Sequence, residues 1–372
     1  LLVLAQALRF NQQQRRSRPT FNNATGATGT NHQPPTTNTQ HTTHNAQRTK
    51  TVQPTTHNRA AGAPPISINI CRPTLRGVLP ETAPEDSWFP LWMLKRHFEF
   101  RTDEKPDFLF YGDVGNGEHL LYPSRTRRIF LTGENIPPNW KEADYALTHE
   151  RVWNERHWRA PLWRHFYDPG HTVVRRDFAE VRSRVDRFCN FIYSNDRAKE
   201  RIEFFHRLHA RKPVDSGGGV LNNLGGRVSD KLAYVQRCKF TIAFENESHP
   251  GYATEKIIEP LLRGSIPIYW GDPQIEEDFN PECFINVHRF PDFEAVIEEV
   301  LRIDADDTLW EKYVSAPLFR EGRMPECLTD EAYCRFFKTV WQAKTTKHRR
   351  WEKRIQRVGA VIQNRTTPLR DC

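Results

Sequence analysis

The chain has 372 residues, with 54 lysines and arginines against 46 acidic residues, a formal net charge of +8, and 23 phenylalanines and 10 tryptophans. That length holds two globular domains and a tail, and the aromatic content is enough to build their cores. The basic residues are interleaved with acids, which argues against a nucleic-acid surface. No run reaches the roughly 20 apolar residues that cross a bilayer, and seven cysteines without a Cys-x-x-Cys pair argue against a structural zinc site.

The chain opens Leu1-Leu2-Val3-Leu4-Ala5 without a methionine. Residues 1–8 read equally as the surviving end of a signal anchor and as an apolar scrap. From Asn22 to His57 nearly every residue is Asn, Thr, Gln, His, Ala, Gly or Pro. Such a segment cannot bury enough apolar surface to offset its ordering entropy, so 1–65 is expected to be a disordered stem. Glycosylation sequons start at Asn23, Asn246 and Asn364.

Structure is expected from residue 66. Ser67-Ile68-Asn69-Ile70 alternates as a strand, 88–98 reads as a helix, and 107–111 reads as a buried strand stopped by Gly112. A further strand, 128–131, ends at Thr132-Gly133-Glu134-Asn135. The alternation resumes with a strand over 187–193 and a helix over 197–209. A glycine-dense loop at 216–219 and a helix capped by Ser229 and running to Val235 come next. Strand 239–244, polar loop 245–253, helix 255–263 with Thr254 as N-cap and Gly264 as its stop, and strand 265–270 form a crossover unit. A last helix is expected over 330–341. Strands alternating with helices predict parallel sheets. Cys327 and Cys334 are close enough in sequence to bridge. The basic run from Lys344 to Arg357 reads as a solvated helix face ahead of an anionic membrane contact.

Ligands of open α/β sheets bind beyond the carboxyl ends of the strands, where loop 245–253 lies. The following helix start offers backbone N–H groups and a positive dipole end to a diphosphate. Lys256 adds a cation, Glu255 a carboxylate for sugar hydroxyls, and Tyr252 a ring or hydroxyl. An ordinary capped helix with Glu255 and Lys256 merely exposed explains the pattern equally well. The sequence has no Walker motif, no His-Glu-x-x-His and no Gly-x-Ser-x-Gly.

Several ordered motifs go further. Phe244-Glu245-Asn246, Gly251-Tyr252-Ala253-Thr254-Glu255-Lys256-Ile257-Ile258 and Ile266-Pro267-Ile268-Tyr269-Trp270-Gly271-Asp272-Pro273 resemble the donor-binding signature of the α-1,3/4-fucosyltransferase family, glycosyltransferase family 10, and its bacterial-type members most. The resemblance extends to Asp215-Ser216-Gly217-Gly218-Gly219, to Phe130-Leu131-Thr132-Gly133-Glu134-Asn135 and to Arg159-Ala160-Pro161-Leu162. It covers about 107–341 and is fullest over 188–290. The long polar stem, His249-Pro250 in the donor loop and a tail without tandem heptads depart from bacterial relatives.

The resemblance implies a GT-B fold, with two Rossmann-like domains facing a cleft. The expected division is stem 1–65, acceptor domain 66–178, GDP-fucose domain 179–335, and C-terminal helix and basic tail 336–372. It implies inverting transfer of fucose from GDP-fucose to the 3-hydroxyl of N-acetylglucosamine in an N-acetyllactosamine or N-glycan-core acceptor. The alternatives are a GT-B enzyme for another sugar nucleotide and an inactive glycan-binding relative. Glu134 matches the family's proposed general base, and Arg201, Asn246, Tyr252, Glu255 and Lys256 match donor-binding positions. Glu255 is also a candidate for stabilising the positive charge that develops on the sugar. No cofactor is required on this reading, and a divalent metal is at most stimulatory. The expected partners are GDP-fucose, a glycan and a membrane. The expected location is the Golgi membrane, single-pass type II, or the cytoplasm or membrane periphery in a bacterium. Glu134→Ala and Lys256→Ala are both expected to abolish transfer with folding intact, checked by activity assay and thermal melting.

Overall fold

The computed structural model describes residues 64–75, 89–152, 154–168 and 176–343. The stem, the apolar start, the basic run, Cys372 and the sequons at Asn23 and Asn364 lie outside the described residues. Among the described residues no helix is long and apolar enough to cross a membrane.

Two sheets, both wholly parallel, carry the described chain. The first contains β1 (Ile66–Ile70), β2 (Phe100–Thr102), β3 (Phe108–Tyr111), β4 (Arg127–Leu131), β5 (Tyr145–Thr148) and β6 (His157–Arg159) in the order β2-β1-β3-β4-β5-β6. The second contains β7 (Arg187–Phe191), β8 (Asp215–Ser216), β9 (Cys238–Phe244), β10 (Ile266–Trp270) and β11 (Ile285–Asn286) in the order β11-β10-β9-β7-β8. Every residue of β3 and β9 is buried. This is why β3 reads as a continuous apolar run rather than an alternating one: a parallel sheet is covered on both faces.

The second sheet has a switch point. From β7 the chain runs through helix Lys199–Arg211 to β8 on one side. It then returns through helix Lys231–Val235 to β9 on the other side. A crevice therefore opens between the carboxyl ends of β7 and β9. Strands β9 and β10 end flush, Phe244 opposite Trp270, so the loops that follow them start side by side. Phe191, Phe204, Phe205, Phe240 and Phe244 pack with Val296, Ile297 and Val300 of helix Phe293–Ala305 to form the core beneath.

Three expectations need correction. The helix expected over 88–98 is only Leu91–Leu94, because Pro90 can do no more than precede it and Phe98 must already turn into β2, where its ring meets Phe100. Asp230, not Ser229, caps the helix to Val235, since its carboxylate is the acceptor for the Ala233 N–H at 3.0 Å. The division at 335/336 falls inside helix Asp330–Gln342, which packs back on the first sheet. There Trp341 stacks on Phe337 and meets Phe108 edge-on at 4.5 Å, while Arg127 of β4 donates to the Val340 carbonyl at 3.1 Å. Cys327 and Cys334 are both free thiols.

The carboxyl ends of the two sheets face one another and are locked by one carboxylate. Asp278, 2 % exposed, accepts two bonds from Arg159 at 2.8 and 2.6 Å, one from Trp163 Nε1 at 3.0 Å and one from Arg151 at 3.3 Å. Arg151 also reaches Asp272 at 3.0 Å. Burial pushes the Asp278 carboxyl upward, but Arg159 and Arg151 outweigh it and hold it below its ordinary range. A depressed folded value stabilises above the unfolded pKa of about 3.9, and that contribution is lost as pH falls through the folded value. Asp278→Asn is therefore expected to destabilise the protein by about 3–5 kcal/mol at neutral pH. In urea melts the gap to wild type should narrow below about pH 4.

Candidate active site

The crevice at the switch point is lined by Tyr193, Ser194 and Asn195 after β7, Asn246 after β9, Arg201 of helix Lys199–Arg211 and Lys231 of helix Lys231–Val235. Glu255, Lys256, Glu259 and Pro260 of helix Glu255–Arg263 also line it. Tyr193 explains why it stays open. Strand β7 stops at Phe191, and the Tyr193 hydroxyl donates to the Ile242 carbonyl at 2.8 Å and accepts from the Phe244 N–H at 3.0 Å. A side chain thus satisfies the edge of β9 where backbone would otherwise close on it. The Arg201 guanidinium lies 3.9 Å from the Tyr193 ring centroid. It donates to the Phe244 carbonyl at 2.8 Å and to Asn246 Oδ1 at 2.9 Å.

Glu245, fully buried at the end of β9, organises the helix that follows. One of its carboxylate oxygens accepts from the Thr254 N–H at 2.8 Å. The other accepts from Thr254 Oγ1 at 2.8 Å and from Lys256 Nζ at 2.9 Å. Thr254 Oγ1 in turn accepts from the Lys256 N–H at 3.4 Å. The Thr254 and Lys256 N–H groups are therefore already engaged within the protein. Glu245 already places a negative charge at that end, where the helix dipole favours it. Nor are Glu255 and Lys256 merely exposed, for they are 4 % and 6 % exposed.

The cations and carboxylates of the crevice are interlocked. Lys256 Nζ lies 3.7 Å from Glu255, and Lys231 bonds Glu259 at 2.5 Å. Burial works against the Lys256 ammonium, yet Glu245 and Glu255 hold its pKa far above the ordinary value. Burial pushes the Glu255 carboxyl up, but Lys256 and Lys231 together keep it low and ionised. One oxygen of Glu255, Oε2, is buried without a hydrogen-bond partner. A buried, charged acceptor of that kind is suited to a ligand hydroxyl.

Of the expected site residues, Arg201, Asn246, Glu255 and Lys256 line one crevice. Tyr252 and Glu134 do not. Tyr252 is buried against the edge of His149, with ring centroids 5.3 Å apart, and burial raises its phenol pKa well above the ordinary value, with Glu245 and Glu134 adding to the rise. Glu134 follows β4 on the facing sheet and is half-buried. No hydrogen bond or ion pair holds its carboxylate among the described residues, and its charge is felt at Tyr252. Glu245, Lys231, Glu259 and Tyr193 escaped the sequence reading as site residues. Glu245 stood inside a quoted motif, but nothing local marks a strand-end glutamate as buried. Lys231 and Tyr193 reach the crevice only through the order of the strands.

Two family profiles match the chain. "Glycosyltransferase family 10 (fucosyltransferase) C-term" covers residues 181–358, and "Alpha-(1,3)-fucosyltransferase FucT N-terminal domain" covers residues 82–167. The chain belongs to glycosyltransferase family 10. Among similar proteins of the family, the alpha-(1,3)-fucosyltransferase FucT of Helicobacter pylori is 30 % identical over 66 % of this chain and 59 % of its own length. GDP-fucose protein O-fucosyltransferase 3 of Homo sapiens is 27 % identical over 60 % of this chain and 51 % of its own. The chain thus spans somewhat over half the length of these two relatives. A solved alpha1,3-fucosyltransferase with GDP-fucose superposes with a TM-score of 0.64 at 26 % identity, covering 78 % of this chain and 95 % of that one. The two facing parallel sheets are accordingly a GT-B fold.

In this family setting the charge network revises the expected behaviour of Lys256→Ala. Removing the ammonium leaves Glu245 and Glu255 buried without their shared cation, so folding should not stay intact. Urea unfolding is expected to show a loss of about 3–5 kcal/mol. An unfolding midpoint equal to wild type would contradict the network.

Proposed function

We propose that the protein is an inverting α-1,3-fucosyltransferase. It takes fucose from GDP-fucose and transfers it to the 3-hydroxyl of N-acetylglucosamine in an N-acetyllactosamine or N-glycan-core acceptor. One observation supports this reading above the others: Arg201, Asn246, Glu255 and Lys256, distant in sequence, converge on a single crevice at the switch point of the second sheet. Arg201 and Lys256, with Lys231, supply preorganised positive charge for a departing diphosphate. The unpartnered Glu255 Oε2 accepts from a hydroxyl of the donor sugar and faces charge that develops as the glycosidic bond breaks. Glu134, across the cleft with its carboxylate unengaged, takes the proton from the attacking hydroxyl. Tyr252, buried against His149, feels the charges of both Glu134 and the crevice residues Lys256 and Glu255.

A second reading concerns the acceptor alone. The likeness to a protein O-fucosyltransferase admits a polypeptide hydroxyl in place of the glycan. Radiolabelled GDP-fucose offered with N-acetyllactosamine, a chitobiose-core glycan and a folded polypeptide acceptor, followed by linkage analysis, separates the two. Transfer to the glycans through an α-1,3 bond is expected. Glu134→Gln should lower kcat by about 10²- to 10⁴-fold while leaving the GDP dissociation constant unchanged. Wild-type turnover in that variant would remove Glu134 as the base, and failure of GDP and GDP-fucose to raise the melting temperature would favour a different sugar nucleotide.

A further inference from the structure

The loop after β5 and the loop after β9 meet beside the crevice but outside it. A Cβ on Gly251 (φ +83°) would overlap the His149 carbonyl oxygen, so the two backbones are in direct contact. At this contact one donor atom from each of His149, Glu150 and His249 lies within 4.8 Å of the other two. Glu150 Oε1 is 3.9 Å from His149 Nε2 and 3.9 Å from His249 Nε2.

The protonation pattern of this cluster is set by its neighbours. His249 Nδ1 lies 3.0 Å from the Pro250 carbonyl, which can only accept, so Nδ1 carries the hydrogen. Nε2 of the same ring faces the Glu150 carboxylate, which has no hydrogen bond among the described residues. An imidazole nitrogen and a carboxylate oxygen, both metal-donor groups, thus face each other at 3.9 Å. His149 is buried beside the two, and among the described residues its Nε2 meets Asn135 Oδ1 at 3.1 Å and the same carboxylate.

We propose that His149, Glu150 and His249 form a zinc site that pins the donor loop 245–253 to the first sheet. Two imidazoles and a carboxylate are a zinc donor set, with the fourth position left to solvent. Zinc ligands sit about 2.0–2.2 Å from the ion and thus about 3.4 Å from each other, so the two Glu150 contacts at 3.9 Å must close by roughly half an ångström and the two imidazoles, within 4.8 Å, by up to about 1.4 Å. Glu150 and His249, 25 % and 34 % exposed at their side chains, have the room to do so and give the ion a way in. Coordination exchanges the His149–Asn135 contact for a metal bond. A hydrogen at His249 Nδ1, held by the Pro250 carbonyl, is the outer-shell partner that metal-bound histidines require. The ion tethers the loop that carries Asn246 and leads to Tyr252 and Glu255, and takes no part in transfer. Although no metal site was expected from the sequence, this one is assembled by two loops 100 residues apart.

The test is titration of zinc ion alone into the chelator-treated full chain by calorimetry, repeated with His249→Ala and Glu150→Gln. Each variant is first shown by thermal melting in chelator to fold like wild type. One zinc per chain is expected, with affinity lowered at least about tenfold in each variant. Zinc should raise the melting temperature of wild type and slow amide exchange over 245–253, and should do neither in His249→Ala. The cobalt-substituted protein should lack a thiolate charge-transfer band. Absence of zinc binding, unchanged affinity in either folded variant, or a thiolate band pointing to a cysteine site would each overturn the proposal. The readout is metal binding, so its failure stands apart from any failure of fucosyl transfer.

Discussion

A carboxylate buried without water must be supplied with donors, and Glu245 is the place where this requirement shapes the site. Its partners are the cap residue Thr254 and the ammonium of Lys256, so satisfying it fixes both the start of helix Glu255–Arg263 and the position of the cation. Gly271 is part of the same demand, since a Cβ there would overlap the Glu245 side chain. The flush ends of β9 and β10 bring Glu245 and Gly271 together. The donor loop therefore closes on a charge cluster rather than on an apolar staple, and its geometry follows from hydrogen bonds of fixed length.

The same logic, at a different carboxylate, joins the two halves of the molecule. Asp278 gathers Arg159, Arg151 and Trp163 from the first sheet's side, while helix Asp330–Gln342 carries the end of the described chain back across to Phe108 and Phe110. The cleft is thus bounded by fastened elements, and Glu134 keeps a defined relation to Tyr252. On the proposed reading, Glu134 on one wall and the interlocked cations on the other divide proton transfer from leaving-group stabilisation, as a single displacement requires.

Most secondary structure was legible because local rules act alone there. Thr254 and Gly264 bracket a nine-residue helix as their capping chemistry dictates, Gly264 at φ +74°, and the all-apolar β3 could only be a covered strand. The short helix Leu91–Leu94 and the shifted cap at Asp230 were not legible. Both depend on where the chain must next be, and propensity does not encode that.

For the site, the amino-acid sequence by itself determined the family, the donor loop and the identity of the charged residues near it, because those are linear motifs with fixed spacing. Tertiary structure alone decided what the charges do. Whether Lys256 is a free cation or the counter-ion of Glu245, whether Tyr193 props the crevice open, and whether His149 meets His249 all depend on strand order and burial. Burial turns the interaction between two charges from a weak, screened one into a constraint on fold and chemistry together.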